Sequence, residues 1–212
     1  MESSQNQKIF PIDPENPDTK LIQKAASILK SGGLVLFPTE SVYGIAALYG
    51  CDQAIRKLSK IKDRPTTQPF TVHISDTKTI TEIGCVINRD AEALIEKFWA
   101  GPLTLLLPLS SGKSKIGFRL PNNKVALRLI EESGGAIVAP SANRRSQNSP
   151  INAKEAFEQV GNDVDMVLDA GETIYRTDST IIDLSRPKVA VLRHGAIKEE
   201  DIQETIREAK IG

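Results

Sequence analysis

The chain has 212 residues, 25% of them charged and 40% hydrophobic, and its 27 Lys and Arg balance 27 Asp and Glu. A chain of this length buries a substantial core as one fairly large domain or two small ones. Zero net charge excludes nucleic-acid binding driven by overall charge and leaves room only for a local basic patch. Two cysteines, Cys51 and Cys85, supply neither a disulfide framework nor a zinc spacing and read as isolated reduced thiols. The N-terminus lacks the basic start and apolar stretch of a signal peptide, and the most apolar run, "LTLLLPL" at 103–109, is far too short to span a bilayer. A cytoplasmic protein is expected.

Residues 1–17 read as an extension ahead of a core of about 19–210. Asp18 is placed to cap a helix over 19–31, with Leu21, Ile22, Ala25, Ile28 and Leu29 on one face and Gly32 ending it. "LVLF" at 34–37 reads as a buried strand cut off by Pro38. Asp52 is expected to cap a second helix through "QAIRKLSKIK", followed by a strand in "PFTVHI". "RDAEALIEKFW" reads as helix, "LTLLL" and "IGFRL" as strands, and "KVALRLIEES" as a helix leading into strand "AIVAP". After a polar loop, "AKEAFEQV" is helical, "MVLDA", "STIIDL" and "KVAVL" are strands, and "EEDIQETIREAK" closes the chain as a helix. This alternation, without repeats or a low-complexity linker, predicts a single α/β domain. The consecutive strands of the last third predict a mixed parallel and antiparallel sheet with flanking helices, because their connections are too short for parallel crossovers.

Three polar loops stand at strand ends: "PTESVYG" after the first strand, "KDRPTTQ" before the second, and "PSANRRSQNSP" after "AIVA". Ligands of open α/β sheets bind beyond strand ends, so these loops make one polar site if their strands are neighbours. Familiar phosphate motifs are missing. "SSGKS" at 110–114 ends like a Walker A loop, but Leu107 stands where its first glycine is required, and no G-x-G-x-x-G or G-x-S-x-G occurs. With His73 and His194 as the only histidines, no Cys/His cluster forms a transition-metal site.

Phosphate binding by side chains remains. Arg64 offers a planar fork and Lys62 a mobile point charge, and both extend to the same side if residues 62–64 are extended ahead of Pro65. Lys60 reads more simply as a complement to the negative end of its helix. Ser141 and Asn143 are neutral donors and acceptors directly after a buried strand, a pattern shared with ordinary turns. His73 in a strand is more often a satisfied core histidine than a ligand.

"PTESVYGI", "IKDRPTTQPFTVHI", "GPLTLLLP", "FRLP", "APSANRRSQNSP", "DSTIIDL" and "VLRHGAI" follow one another between residues 38 and 197. In this order they resemble the YrdC family and, within it, the threonylcarbamoyl-AMP synthases in their short, single-domain form. The resemblance implies a YrdC-like fold and a reaction of L-threonine, bicarbonate or carbon dioxide, and ATP, with Mg²⁺ bound alongside the nucleotide and no tightly bound organic cofactor. Threonine's N-carboxylate attacks the α-phosphate to give threonylcarbamoyl-AMP and pyrophosphate, and a separate complex transfers the threonylcarbamoyl group to tRNA. Such chemistry relies on positioning and charge stabilisation rather than on an enzyme nucleophile. The resemblance places Ser41, His73, Arg119, Ala139 and Ser179 around threonine, with Arg119 as partner of its carboxylate. It places Arg64, Gln68, Ser141, Ser149 and Arg193 on ATP, while Lys62 and Asn143 complete the family's K-x-R and S-x-N pairs and Lys62 and Arg64 serve catalysis.

Departures from the family pattern are local. Ser41 stands where threonine is frequent, "GIAALYGCD" is longer than the usual turn, "SANRRSQ" lacks a nearby glycine, and "RHG" replaces "RPG". A competing reading is an RNA-binding or regulatory paralogue without synthase activity, resting on Arg56, Lys57, Lys60, Lys62, Arg64, Arg144 and Arg145. Scarce aromatics, 5% of residues, weigh against base stacking in that reading. A third reading, a carbamoyl-transfer module of a larger maturation protein, lacks the expected zinc-finger cysteines.

Overall fold

The computed structural model describes residues 8–112, 114–186 and 188–211. The first seven residues of the expected N-terminal extension, and Lys113 of the "SSGKS" stretch, lie outside the described residues. In chain order the elements are β1 (Ile9–Pro11), α1 (Thr19–Lys30), β2 (Val35–Phe37), β3 (Gly44–Leu48), α2 (Asp52–Ile61), β4 (Val72–Ile74), α3 (Lys78–Glu82), α4 (Arg89–Phe98) and β5 (Leu103–Pro108). There follow β6 (Lys115–Arg119), α5 (Lys124–Ser133), β7 (Ala136–Val138), α6 (Ala153–Val160), β8 (Met166–Asp169), β9 (Thr180–Asp183), β10 (Ala190–Arg193) and α7 (Glu199–Ile211). The strands form one mixed sheet in the order β1-β8-β2-β3-β7-β4-β6-β5-β9-β10. The α/β class and the mixed sheet agree with the sequence reading.

Strand alternation divides the core in two. Leu34, Leu36, Phe118, Leu103, Leu105 and Ile182 face one buried cluster, covered by apolar positions of α2, α4, α6 and α7 such as Leu58, Leu94, Ala156 and Ile202. Val35, Phe37, Ala46, Ile137 and Met166 face the other, covered by Ile22 and Leu29 of α1 and Leu129 of α5. Both of these last helices lie over the β1–β7 half of the sheet. On that face the half running from β4 to β10 carries polar residues instead.

Ends of helices follow local chemistry. Asp18 caps α1 by accepting from the Lys20 and Leu21 amides at 2.8 and 3.0 Å. Asn123 and Asn152 cap α5 and α6 in the same way. Asp52 does not cap α2. It is the first helical residue, where its charge still complements the helix dipole, and Cys51 occupies the cap position without a side-chain bond. Residues 62–64 are not extended either. Asp63 adopts φ 44° and closes the helix in a Schellman turn, with its amide donating to Lys60 O at 3.3 Å and the Arg64 amide donating to Ser59 O at 3.0 Å. The longer "GIAALYG" stretch contains strand β3, inserted between β2 and β7, followed by a turn at Tyr49 and Gly50. Both cysteines are free thiols, as read from the sequence, and among the described residues no helix is long and apolar enough to cross a membrane.

From β8 to β9 the chain passes seven strand positions using residues 170–179. Across a flat sheet that distance is ~34 Å, about the limit of ten extended residues. The segment is not fully extended, because Arg176 has φ 53° and pairs with Glu172 at 2.8 Å. The sheet must therefore curl, and the segment forms a strap across its concave side. It is tied down by Tyr43 Oη donating to Gly171 O at 2.8 Å, by the Thr173 amide on Ile151 O at 2.8 Å and by the Tyr175 amide on Glu40 O at 2.9 Å.

The far end of the strap is seated on Gly195. A Cβ there would meet Asp178 O, and would lie 2.5 Å from Ser179 C and 2.6 Å from Thr180 N. Gly195→Ala is therefore expected to destabilise the fold by about 1–3 kcal/mol and to displace Asp178 and Ser179, read as a lowered midpoint in chemical denaturation. An unchanged midpoint contradicts this packing.

Candidate active site

Sheet register explains how distant sequence positions meet. His73 lies opposite Ile137 of β7 and Arg119 of β6. The pairing of Leu105 with Phe118 puts Thr104 opposite Arg119, Thr104 pairs with Ile181, and Ile181 pairs with Arg193. Directly paired residues share a face. One row across five strands thus presents His73, Arg119, Thr104, Ile181 and Arg193 side by side on the concave side, while Phe118 and Leu105 point to the core. The row floors a cavity of about 210 Å³.

Loops wall it. The order β2-β3-β7-β4 brings the three polar loops to one end of the sheet, as the sequence reading required. Thr39 comes from the loop after β2, Lys62 and Arg64 from the end of α2, and Ala139 and Ser141 from the loop after β7. The strap adds Asp178 and Ser179.

Lys62 knits two of these loops together. Its ammonium donates to Ser141 O at 3.0 Å, to Asn143 Oδ1 at 2.9 Å and to Asn143 O. Ser141 Oγ donates to the same Asn143 Oδ1. The two sequence pairs are therefore one hydrogen-bonded unit. Burial pushes the Lys62 ammonium down to about 8, with Asp178 opposing and Arg64 reinforcing the shift. The Arg64 guanidinium lies over the Phe70 ring, 4.9 Å from its centroid, and burial lowers its pKa. Among the described residues no carboxylate pairs with it.

At the opposite wall, Arg193 donates to Ser179 O at 2.9 Å and to Ser179 Oγ at 3.0 Å, and Ser179 Oγ lies 2.9 Å from Thr104 Oγ1. Burial, opposed by Asp178 and helped by Arg119, lowers the Arg193 pKa. His73 is buried, stands edge-on to Phe37 with centroids 6.2 Å apart, and leaves its Nδ1 without a partner. Burial and then the Arg119 charge hold it well below the ordinary 6.5, so it is neutral at pH 7.

Arg119 is 4% exposed and Glu40 only 1%. Arg119 Nη2 stands 2.9 Å from Glu40 Oε1. The approach is within ion-pair range but misaligned for hydrogen bonding, so both Glu40 oxygens and the Nε and Nη2 of Arg119 lack a formed bond.

Of the residues singled out from sequence, Lys62, Arg64, His73, Arg119, Ala139, Ser141, Ser179 and Arg193 line the cavity together. Asn143 stands one bond behind, and Ser149 likewise, its hydroxyl 3.1 Å from both oxygens of Asp178. Ser41 is fully buried with its Oγ 3.0 Å from Thr39 Oγ1, so Thr39 rather than Ser41 meets the cavity. Gln68 is exposed and off the lining. Sequence reasoning missed Thr39, Glu40, Thr104 and Asp178. Thr104 was findable, as the polar residue alternating with Leu103 and Leu105.

Of the seven cations behind the RNA-binding reading, two are paired with carboxylates and a third is tied to a backbone carbonyl. Arg144 pairs with Asp163 at 2.7 Å, Arg145 with Asp63 at 3.2 Å, and Lys57 donates to Gly32 O at 2.8 Å.

The family model described as telomere recombination, which covers the Sua5, YciO and YrdC proteins, matches residues 27–195. The chain belongs to the Sua5/YciO/YrdC family. It is 35% identical over 198 residues to the threonylcarbamoyl-AMP synthase of Pyrococcus abyssi, covering 90% of this chain and 58% of that protein. With the threonylcarbamoyl-AMP synthase of Bacillus subtilis it shares 33% identity over 194 residues, 87% of this chain and 56% of the relative. The crystal structure of P. abyssi Sua5 complexed with L-threonine superposes with a TM-score of 0.87 at 34% identity, covering 93% of this chain and 60% of that one. The chain thus spans little more than half the length of these relatives.

Protonation of Lys62 gives this Sua5/YciO/YrdC site a pH signature. With its pKa lowered from 10.5 to about 8, the neutral amine is the form the fold favours, so its contribution to stability grows as pH rises through that interval. A bound polyphosphate reverses the preference and restores the proton. Pyrophosphate binding at pH 8–9 is expected to take up protons, read as a binding enthalpy that changes with the ionisation enthalpy of the buffer. The uptake should vanish in Lys62→Met. A buffer-independent enthalpy in the parent contradicts the lowered pKa.

Proposed function

We propose that this chain carries L-threonylcarbamoyladenylate synthase activity, joining L-threonine, bicarbonate or carbon dioxide, and ATP into threonylcarbamoyl-AMP and pyrophosphate. The observation that carries the reading is the distribution of charge in one cavity: Lys62, Arg64 and Arg193 toward the loops and strap, and Arg119 beside neutral His73 on the floor. The likeness to a threonine-bound relative supports the same assignment.

Arg119 Nε, without a partner, suits a threonine carboxylate. The Ser179–Thr104 hydroxyl pair offers groups to the substrate hydroxyl. Carboxylation of the ammonium form by bicarbonate forms the N–C bond and releases water and a proton to solvent, while the unpartnered Nδ1 of His73, neutral on the floor, is free to hydrogen-bond the substrate. An oxygen of the resulting carbamate then attacks the α-phosphorus, and the bond from that phosphorus to the bridging oxygen breaks as pyrophosphate leaves. Lys62, Arg64 and Arg193 neutralise the charge gathering on the transferring and departing phosphates. At about 210 Å³ the enclosed space is below the roughly 300–1,000 Å³ of ordinary ligand pockets. It suits an amino acid and the reacting phosphate, with adenosine lying outward.

Among the described residues no group of three or more His, Cys, Asp or Glu could cage a metal. Among the described residues the Asp178 side chain is engaged by Ser149 and, at 3.5 Å, by Arg193, and it fits a Mg²⁺ that arrives on the nucleotide, where the ion would share the phosphate charge. Transfer of the product's threonylcarbamoyl group to a tRNA adenosine by a separate complex is the downstream step this reading implies.

Pyrophosphate release, measured with each substrate omitted in turn, tests the reading. Release should need ATP, threonine and bicarbonate together and no RNA. It should favour threonine over valine, because hydroxyl-binding groups are left unpaired by the isostere. Arg64→Ala should lower turnover about tenfold or more in a folded protein, the worth of one charge-assisted contact of roughly 1.5–3 kcal/mol. Release that ignores bicarbonate, or that appears only with RNA, overturns the synthase reading.

A further inference from the structure

Glu40 lies off the cavity lining, yet it is buried against one of the cations that line it. Its side chain is 1% exposed, its carboxylate stands 2.9 Å from the Arg119 guanidinium, and its backbone carbonyl accepts the Tyr175 amide of the strap at 2.9 Å. Both carboxylate oxygens lack a formed hydrogen bond. Burying an ion pair with so few accessory bonds is unfavourable relative to an apolar pair of similar size. Folding stability therefore does not explain why the pair is there at all, although with Arg119 in place the loss of Glu40 would leave a buried charge unpaired.

Charge counting does. Away from Arg119, Lys62 and Arg64 at the α2 wall and Arg193 at the β10 end of the floor are offset by one carboxylate, Asp178, which leaves a net charge of about +2. At the β4–β6 end of the floor, Arg119 is balanced by Glu40 and flanked by a histidine held neutral, so that part is close to zero. Without Glu40 it would present a second buried, uncompensated cation, unscreened by solvent and reachable by any phosphate entering the same cavity. With Glu40 in place, Arg119 still has unpaired N–H donors for a carboxylate, while a multiply charged phosphate meets the field of a buried anion directly behind the guanidinium.

We infer that Glu40 is a positioning and specificity-determining residue: by cancelling the Arg119 charge it reserves the Arg119 end of the cavity floor for a zwitterionic amino acid and keeps phosphate out of it. This rests on the synthase reading, and it adds the reason why two anionic substrates do not compete for one cluster of cations. The mechanism is local. Glu40 touches no substrate and acts through Arg119.

Direct binding, not turnover, separates this inference from the reading beneath it. Threonine is titrated calorimetrically into the parent protein with and without inorganic phosphate, at constant ionic strength set by chloride. Phosphate should change the parent's threonine affinity less than twofold. In Glu40→Gln, where the Arg119 charge is uncovered, the same phosphate should weaken threonine binding by about tenfold, the worth of a charge-assisted contact. Glu40→Asp, which keeps the charge, should behave as the parent does. A merely structural role for Glu40 would alter threonine affinity equally in both buffers, and that outcome overturns the inference. So does a parent whose threonine binding is already strongly phosphate-sensitive, a result that needs no variant to fold. A parent that binds no threonine in either buffer overturns the synthase reading itself.

Discussion

Lys62 is the point on which the site depends. An ammonium on a half-buried stem cannot be left without acceptors, and here they are two backbone carbonyls and an amide oxygen from the loop after β7. This fixes the distance between the end of α2 and that loop, and so the width of the cavity mouth. Because Asn143 Oδ1 also takes the Ser141 hydroxyl, moving any one of the three displaces the others. The Schellman turn at Asp63 then turns the chain so that Arg64 rests on Phe70 beside the mouth instead of continuing along the helix axis.

The rest of the arrangement follows from how strands pair. A residue in one strand meets residues in neighbouring strands at the same height, so five side chains from distant parts of the chain form one row. Helices α1 and α5 cover the other half of that face and reach no further than β4, and the curl demanded by the short strap closes the open part into a cavity. The strap is both a covalent constraint and a source of ligands, since it ends in Asp178 and Ser179. Glu40 links it to Arg119, because one residue's backbone and side chain hold both.

Much of this was legible in the sequence. Amphipathic periods located six of the helices and Asp18 was read as a cap, because spaced apolar residues and a capping carboxylate act locally, whereas the caps Asn123 and Asn152 were not read. The one-turn α3 and the short β1 were not legible, since neither has enough residues to show a period. β3 was hidden because "GIAAL" is buried on both faces and has no alternation to read. Lys62 and Arg64 stood out by their charge at a helix end, and Arg119 and Arg193 were marked by the family resemblance. Glu40 and Asp178 did not stand out, because the value of each depends on a cation that only the three-dimensional fold brings near. The glycine missing after "SAN" was visible in sequence but its consequence was not: Ser146 itself adopts φ 65°, so the loop keeps a left-handed residue at some strain.

The central claim is that a single cavity joins a threonine-derived carbamate to the α-phosphate of ATP. Mass spectrometry of a reaction supplied with ¹³C-bicarbonate, threonine and ATP tests it most directly. The account predicts an AMP adduct of threonine that carries the ¹³C label in the carbonyl between the amine and the phosphate. An adduct that forms without the label, with threonine joined to AMP through its own carboxylate, would contradict it.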